Sequence, residues 1–340
     1  MHPDYELITK AFRSYYRGNY PYTIRLCKKL FGTASENDAK NLLGRCLLEM
    51  KDEDAVLSII KTLLDDTTNL AAASHLIGVI DFYHLDYEGA YKNFNYAIKM
   101  HPSFANYYYS RGVIQLRRAN IQEAFDDFDT AIKMENFQAE SYLGKAMINY
   151  FLRNYDQAIK SATKALQIER KLSRAYYIRG LSKYKNGEWD KAQKDLLKSN
   201  ALDPNHQFTI LSLGNCALRK GDFLKALDYF NQVDETNQYH CYAINNRGVA
   251  HFYLGNFQTA LAEFALAREK NPELLIPLVN RTQVNKKLNC DDAVNLDLQV
   301  ARRIKYEEIE IIHSDFTVNS LDKDPRMTLY DNLIDMLLKI

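Results

Sequence analysis

The sequence lacks the features that mark several classes of protein. Its five cysteines are far apart and form no CxxC pair, a pattern that favours free thiols in a reducing compartment over a disulfide framework or a zinc site. No segment approaches the ~18 uninterrupted apolar residues of a membrane span. The N-terminal stretch MHPDYELITKAFRSYY carries charge where a signal peptide has an apolar run. These absences predict a soluble protein of the cytoplasm that inserts into no membrane. The cysteines are Cys27, Cys46, Cys216, Cys241 and Cys290.

Net charge is almost absent as well, since 44 Lys and Arg residues face 43 Asp and Glu residues. A neutral chain of this kind gives no electrostatic reason to expect nucleic acid as a partner. The composition is 46% hydrophobic, so the 340 residues suffice for a large core.

Motifs of catalysis are missing too. The eight histidines stand at no metal-ligand spacing to Cys, Asp or Glu, and no GxGxxG, GxxxxGK[ST] or GxSxG segment occurs. We therefore expect no catalytic residues, no metal site and no cofactor, and we interpret the chain as a protein without enzymatic activity.

What the sequence does contain is a period of 34 residues. Small residues recur in three series at this spacing, and a large apolar or aromatic residue stands three positions before each alanine of one series. That alanine series is Ala90, Ala124, Ala158, Ala192, Ala226 and Ala260, and a parallel series is Gly44, Gly78, Gly112, Ala146, Gly180, Gly214 and Gly248. Regular self-similarity of this length is the signature of a repeat architecture.

The spacing of Gly78, Ala90, Phe94, Ala97 and Pro102 resembles the tetratricopeptide repeat, a helix–turn–helix unit of 34 residues. The resemblance implies an all-α fold, a right-handed superhelical solenoid of antiparallel helix pairs that spans residues 4–308. The nine repeat frames begin near residues 4, 37, 71, 105, 139, 173, 207, 241 and 275, the first two and the last being degenerate. Small residues are expected where the two helices of a pair cross.

Residues 309–340 form an extension in this scheme, with a loop over 314–325 and an apolar helical pattern over 326–340. We favour a helix that caps the stack. The alternative is a helix that docks in a groove of a partner, or in the chain's own groove as an autoinhibitor.

Charges at the seventh place of the frame form a second pattern. Four frames carry arginine there, and each has an acid sixteen residues later: Arg111–Asp127, Arg179–Asp195, Arg247–Glu263 and Arg281–Asp297. We expect an ion pair between the two helices of each repeat rather than a row of ligand-binding arginines, because a partly buried guanidinium needs a carboxylate. Lys145, opposite Ser161, is the one cation left without a partner in this scheme.

Places 2, 5, 6, 9, 12 and 13 of the first helix of each repeat share one face, which we call the inner stripe. Its acids are only Asp38, Glu49 and Glu140, whereas it carries seven cations, a surplus that favours an acidic or phosphorylated ligand. The alternative is that cations near the ends of these helices stabilise the helix dipole. The seven are Arg45, Arg117, Arg174, Lys185, Arg219, Lys286 and Lys287.

Three asparagines of the inner stripe, Asn215, Asn246 and Asn280, fall in consecutive repeats. A carboxamide offers a donor and an acceptor, so it can pair with a peptide backbone whatever the peptide's side chains are. The alternative is that these amides bond to the neighbouring helix and stabilise the stack. Aromatic residues that would set side-chain preference are Tyr177, Tyr242, Phe208 and Tyr253, with cations at Arg174 and Arg219; a second candidate region is Asn106, Tyr109 and Arg117.

The function predicted from these features is an adaptor that binds an extended peptide segment of a partner protein in its groove. The alternative is a structural subunit that packs through its outer surface within a larger assembly. The identity of the partner and any self-association stay open at this point.

Overall fold

The computed structural model describes residues 3–33, 35–65, 67–134, 139–237, 239–272, 274 and 276–304. Within them the ordered secondary structure is eighteen α-helices and one 3₁₀ helix, with no strand, so the predicted all-α fold is confirmed. The predicted loop and helix of 314–340 lie outside the described residues.

The helices alternate between a first and a second helix of each repeat. The first helices are α1 (Pro3–Tyr16), α3 (Glu36–Glu49), α5 (Leu70–Tyr83), α7 (Ala105–Arg117), α9 (Ala139–Phe151), α11 (Ser173–Lys185), α13 (Gln207–Arg219), α15 (His240–Tyr253) and α17 (Ile276–Lys287). The second helices are α2 (Tyr20–Lys28), α4 (Glu53–Leu64), α6 (Tyr87–Met100), α8 (Ile121–Met134), α10 (Tyr155–Ile168), α12 (Trp189–Leu202), α14 (Phe223–Phe230), α16 (Phe257–Lys270) and α18 (Asp291–Ile304). The 3₁₀ helix, Thr67–Asn69, lies between α4 and α5.

Contacts between backbone segments divide the described chain into two compact units. Unit 1 runs to Arg179 and unit 2 begins at Gly180, so the boundary falls inside α11. In each unit the core lies between the two helices of a pair and between neighbouring pairs, for example around Phe94 in unit 1 and around Phe230 and Phe264 in unit 2.

The small residues of the 34-residue period lie where the helices of a pair approach. A Cβ atom added to Gly78 would come within 2.8 Å of the Phe94 ring, and one added to Gly248 within 2.6 Å of the Phe264 ring. These distances are shorter than real carbon–carbon contacts, so only glycine permits this packing. Small residues at these places are therefore contact points between helices, as predicted.

Aspartate begins several of the second helices. The carboxylates of Asp52, Asp86 and Asp222 each accept a hydrogen bond from the backbone N–H three residues later. An oxygen at this position satisfies one of the free N–H groups of the first turn, which fixes where the second helix starts.

The turn between the two helices of a repeat needs a residue with positive φ. Gly18, Gly187, Gly221 and Gly255 occupy it with φ between 70° and 79°. In five other repeats a residue with a side chain adopts the same conformation: Lys51, Leu85, Ala119, Arg153 and Asn289, with φ between 56° and 64°. In the first four of these the strained conformation follows from the turn and not from their own preference, whereas asparagine adopts it more readily.

Three of the four predicted ion pairs are confirmed. Arg111 donates to Asp127 at 2.6 and 2.9 Å, and Arg247 donates to Glu263 at 2.8 and 3.1 Å. Arg281 binds both carboxylate oxygens of Asp297. The fourth pair, Arg179 with Asp195, stays a prediction.

The prediction that Lys145 has no partner is wrong. Its Nζ lies 2.6 Å from Oδ1 of Asp129, on the second helix of the preceding repeat. Arginines at the same place reach backward in the same way: Arg111 to Asn95, Arg179 to Thr163 and Arg247 to Asn231, each sixteen residues earlier. The seventh place therefore connects a repeat to the one before it as well as bridging its own two helices.

Candidate functional site

A chain of four asparagine amides crosses the first helices of unit 2. Asn280 of α17 donates to Asn245 of α15 at 3.0 Å, Asn245 donates to Asn246 at 3.0 Å, and Asn246 donates to Asn215 of α13 at 2.8 Å. The helices α13, α15 and α17 pack side by side, which brings residues of consecutive repeats within hydrogen-bond reach. We call these four residues the amide chain.

The amide chain connects neighbouring first helices and is also partly exposed to solvent. Asn245 and Asn246 in its middle are buried, with exposed fractions of 1% and 3%, whereas Asn215 and Asn280 at its ends are half-buried. The inter-helix hydrogen bonds are those expected if the asparagines stabilise the stack. A carboxamide has two N–H donors and two acceptor sites, so the two ends keep capacity for a further partner.

Asn245 was missed in the sequence. It precedes Asn246 directly, and adjacent helical residues usually point apart, so the pattern does not predict that both belong to one network. The signal that could have found it is its own place in the frame, place 5, which belongs to the same inner stripe.

Apolar side chains lie on one side of the amide chain, toward the starts of the first helices. They are half-buried and occupy places 2 and 5 of the frame. The set is Phe208, Leu211, Tyr242, Ile276 and Val279. The ring of Phe208 packs on the ring of Tyr239, with 4.6 Å between the centroids, and the rings of Tyr239 and Tyr242 have centroids 6.1 Å apart. These contacts fix the rings in place.

Cations lie on the other side, toward the ends of α13 and α17. Lys286 and Lys287 are exposed, and half-buried Arg219 donates through Nε to the hydroxyl of Tyr184 at 3.1 Å. The ring of Tyr253, at the same end of α15, is exposed and stacks on Phe223 with centroids 5.1 Å apart.

The charges of the inner stripe are distributed unequally between the two units. In unit 1 the three cations Arg45, Arg117 and Arg174 are balanced by the three acids Asp38, Glu49 and Glu140. In unit 2 the stripe carries Lys185, Arg219, Lys286 and Lys287 and no acid. Counted with every carboxyl group ionised, the surplus of positive charge therefore belongs to unit 2.

The candidate residues of unit 1 have a different environment. Asn106, Tyr109 and Tyr177 are buried, and Arg117 lies over the ring of Tyr87 at 5.6 Å. Arg174 acts electrostatically on the buried carboxyl of Glu140. The second candidate region, Asn106 with Tyr109 and Arg117, therefore presents little side-chain surface, in contrast with the half-buried stripe of unit 2.

Glu140 carries a buried carboxyl group in unit 1. Its side chain is 2% exposed, and its Oε1 has no hydrogen-bond donor among the described residues. Burial raises the pKa of Glu140 to about 7, although the positive charges of Arg174 and Arg45 act in the opposite direction. The carboxyl group therefore changes charge near neutral pH.

A second buried titratable group, His75, belongs to a polar chain across three first helices of unit 1. Its Nδ1 lies 3.0 Å from Oδ1 of Asn41, and its Nε2 lies 2.8 Å from the hydroxyl of Ser110. Burial holds the pKa of His75 well below its usual range, and the charge of Arg45 acts in the same direction. The imidazole is thus a neutral structural group.

Among the described residues no group of His, Cys, Asp and Glu could hold a metal ion. None of the described helices combines the length and the apolar character required to cross a bilayer.

Comparison with known proteins agrees with this architecture. A tetratricopeptide-repeat family model matches residues 76–141 and 177–240, and a second one matches 139–172. No curated protein is significantly similar to this sequence.

Solved structures of repeat proteins share the fold. A protein in the Cut9–Hcn1 hetero-tetramer of the APC/C matches 92% of this chain and 58% of its own, with a TM-score of 0.56 and 18% identity. A tetratricopeptide repeat protein of Parabacteroides merdae matches 79% of this chain and 98% of its own (TM-score 0.55, 15% identity). PilF of Pseudomonas aeruginosa matches 64% of this chain and 97% of its own (TM-score 0.55, 16% identity). These likenesses show the fold. The family models that match residues 76–141, 139–172 and 177–240, together with the repeated helix pairs and their glycine contacts, show that the chain belongs to the tetratricopeptide-repeat family.

Proposed function

We propose that this protein is a non-enzymatic adaptor whose unit 2 binds an extended, acidic segment of a partner protein along its inner stripe. Tetratricopeptide repeats in general mediate protein–protein interactions. The observation that carries the finer proposal is the composition of the stripe in unit 2, which has four cations, no carboxylate and an amide chain beside the cations.

Electrostatics favours this class of ligand. A surface with charges of one sign attracts a segment of the opposite sign and raises its association rate. Lys286 and Lys287 are exposed, so their charges can meet a carboxylate or a phosphate of the partner without reorganisation of the core. In unit 1 the equal numbers of acids and cations give no such preference.

The state of the thiols supports a reducing cellular setting. All five cysteines are free, and four of them are buried. Burial raises the pKa of Cys27, Cys46 and Cys216 to about 12, which keeps these thiols protonated and unreactive. A reducing compartment such as the cytoplasm suits this arrangement, with no cofactor and no nucleic acid in the proposed function.

The test uses the purified full chain and a phage-displayed library of random peptides. We expect selected peptides to be enriched in Asp and Glu and their binding to weaken as salt is added. Lys286→Glu with Lys287→Glu should abolish that binding. The matched control, Lys225→Glu with Lys270→Glu, changes two exposed lysines of second helices and should leave it intact. Selected peptides without excess acid, or binding indifferent to salt, would refute the proposal.

One observation favours the alternative of a structural subunit. The second helix α12 exposes three large apolar side chains, those of Trp189, Leu197 and Leu202, each about two-fifths exposed. Affinity purification from native cells separates the two functions. Loss of partners in a Trp189→Ser, Leu197→Ser variant, with no loss in the Lys286→Glu, Lys287→Glu variant, would favour packing through α12.

A further inference from the structure

We infer that the partner segment bound by unit 2 alternates acidic and apolar residues along an extended backbone. This inference rests on the proposed function and specifies the ligand of the same surface. It follows from the position of the amide chain between two chemically different rows of side chains.

The amide chain is a fixed backbone-binding element. Asn245 and Asn246 are buried and hold each other, which orients the half-buried amides of Asn215 and Asn280 at the two ends. Because the asparagine side chains are already ordered, they lose little conformational entropy when a peptide pairs with them.

An extended peptide that pairs with the amide chain must turn one edge of its backbone toward the asparagine side chains. The N–H and C=O groups of an extended segment point sideways, at right angles to its side chains, and successive side chains point to opposite faces. With the backbone edge toward the amides, alternate side chains therefore point to the two sides of the stripe.

The two sides select different residues. The apolar row at places 2 and 5, which includes Phe208, Tyr242 and Ile276, suits aliphatic or aromatic side chains. The cationic row at places 12 and 13, with Lys286 and Lys287, suits Asp or Glu. Ten residues of helix separate place 2 from place 12, or about 15 Å, which leaves room for a backbone in the middle and one side chain on each side.

The length of the segment follows from the packing of the helices. Three first helices with axes roughly 8–10 Å apart span about 20 Å. At about 3.3 Å per residue this corresponds to roughly six residues, three on each side.

The test compares three peptides of equal length on the wild-type full chain by calorimetry. One peptide alternates Glu and Val, the second carries the same residues in two blocks, and the third alternates Lys and Val. We expect the alternating Glu peptide to bind about tenfold tighter than the block peptide, and the Lys peptide to show no binding.

The outcomes separate the two proposals. Equal affinity of the alternating and block peptides would overturn the alternation and leave an acidic ligand in place. Equal binding of the Glu and Lys peptides, or no binding of any of them, would overturn the proposed function itself. The variant Lys286→Glu, Lys287→Glu should reverse the preference and bind the alternating Lys peptide, and failure of this reversal would contradict the assignment of the cationic row.

Discussion

Arg111 holds Asp127 with two hydrogen bonds, of 2.6 and 2.9 Å, across the two helices of one repeat. Asp127 is buried, and burial raises its pKa in opposition to the effect of Arg111. The carboxylate thus depends on the guanidinium for its charged form.

Removal of Arg111 should therefore destabilise the protein strongly. We expect Arg111→Leu to lower the free energy of unfolding by about 3 kcal/mol, because it leaves a buried carboxylate without its partner. The double variant Arg111→Leu, Asp127→Asn should recover most of the loss, because it puts an apolar residue and an amide at the two places where another repeat has Ile77 and Asn93. Urea unfolding of both variants measures this; equal destabilisation by the single and double changes would contradict it.

Leu85 adopts a φ of 64° and is 69% exposed, so its side chain gains little from packing to offset backbone strain. We expect Leu85→Gly to raise the free energy of unfolding by about 1 kcal/mol. Leu152 is also exposed but does not have positive φ, so Leu152→Gly is the matched control and should give no gain. Thermal unfolding compares the two; a stabilisation of the same size in both would show that strain is not the cause.

His75 should make the fold sensitive to mild acid. Its pKa is lowered by burial, so it stays neutral in the folded chain while the unfolded chain takes up a proton near pH 6.5. The stability is therefore fully present above pH 6.5 and declines as pH falls below it. Urea unfolding between pH 7 and pH 5 should show a shallower decline for His75→Gln than for the wild type. An unchanged slope would argue against a neutral buried imidazole.

Glu140 should act in the opposite direction. Its pKa is raised to about 7 from 4.5, so its contribution to stability is complete below pH 4.5 and is lost as pH rises through 7. We expect Glu140→Gln to stabilise the chain relative to the wild type by roughly 2–3 kcal/mol at pH 9, with the difference vanishing near pH 4. Unfolding at the two pH values measures it, and a difference independent of pH would refute the assignment.

Asn246 should contribute to stability and not to ligand contact alone. It is buried and bonded to Asn215 and Asn245, so Asn246→Ala leaves a buried amide donor unsatisfied and should cost about 2 kcal/mol. Exposed Asn205 provides the control, and Asn205→Ala should be neutral. Urea unfolding decides; a neutral Asn246→Ala would mean that the amide chain has no part in the stack.

Much of the fold could be predicted because the same requirements for residue type occur at the same place in many repeats. The glycine at place 8 and the alanine at place 20 each recur in six of the nine frames, and arginine with its acid recurs as a pair. Such signals are local to one repeat. The partner of Lys145 was missed because Asp129 belongs to the preceding repeat, and contact across repeats was not part of the pattern.

The candidate site could be predicted only in part. The asparagines of consecutive repeats were recognised from their places in the frame, yet the burial of Asn246, Asn106 and Tyr109 depends on everything packed around them. Exposure at a repeated place is a property of the whole stack, so the frame alone does not give it.

The backward contacts of the seventh place bear on how the repeats unfold. A solenoid behaves as a linear array in which each repeat has its own stability and a coupling to its neighbours. Contacts such as Lys145–Asp129 and Arg111–Asn95 join two repeats, so they add to the energy that couples neighbouring repeats and not only to the stability of a single repeat. Where the coupling is large, fraying of one repeat raises the energy of the next, and neighbouring repeats melt together as one cooperative block.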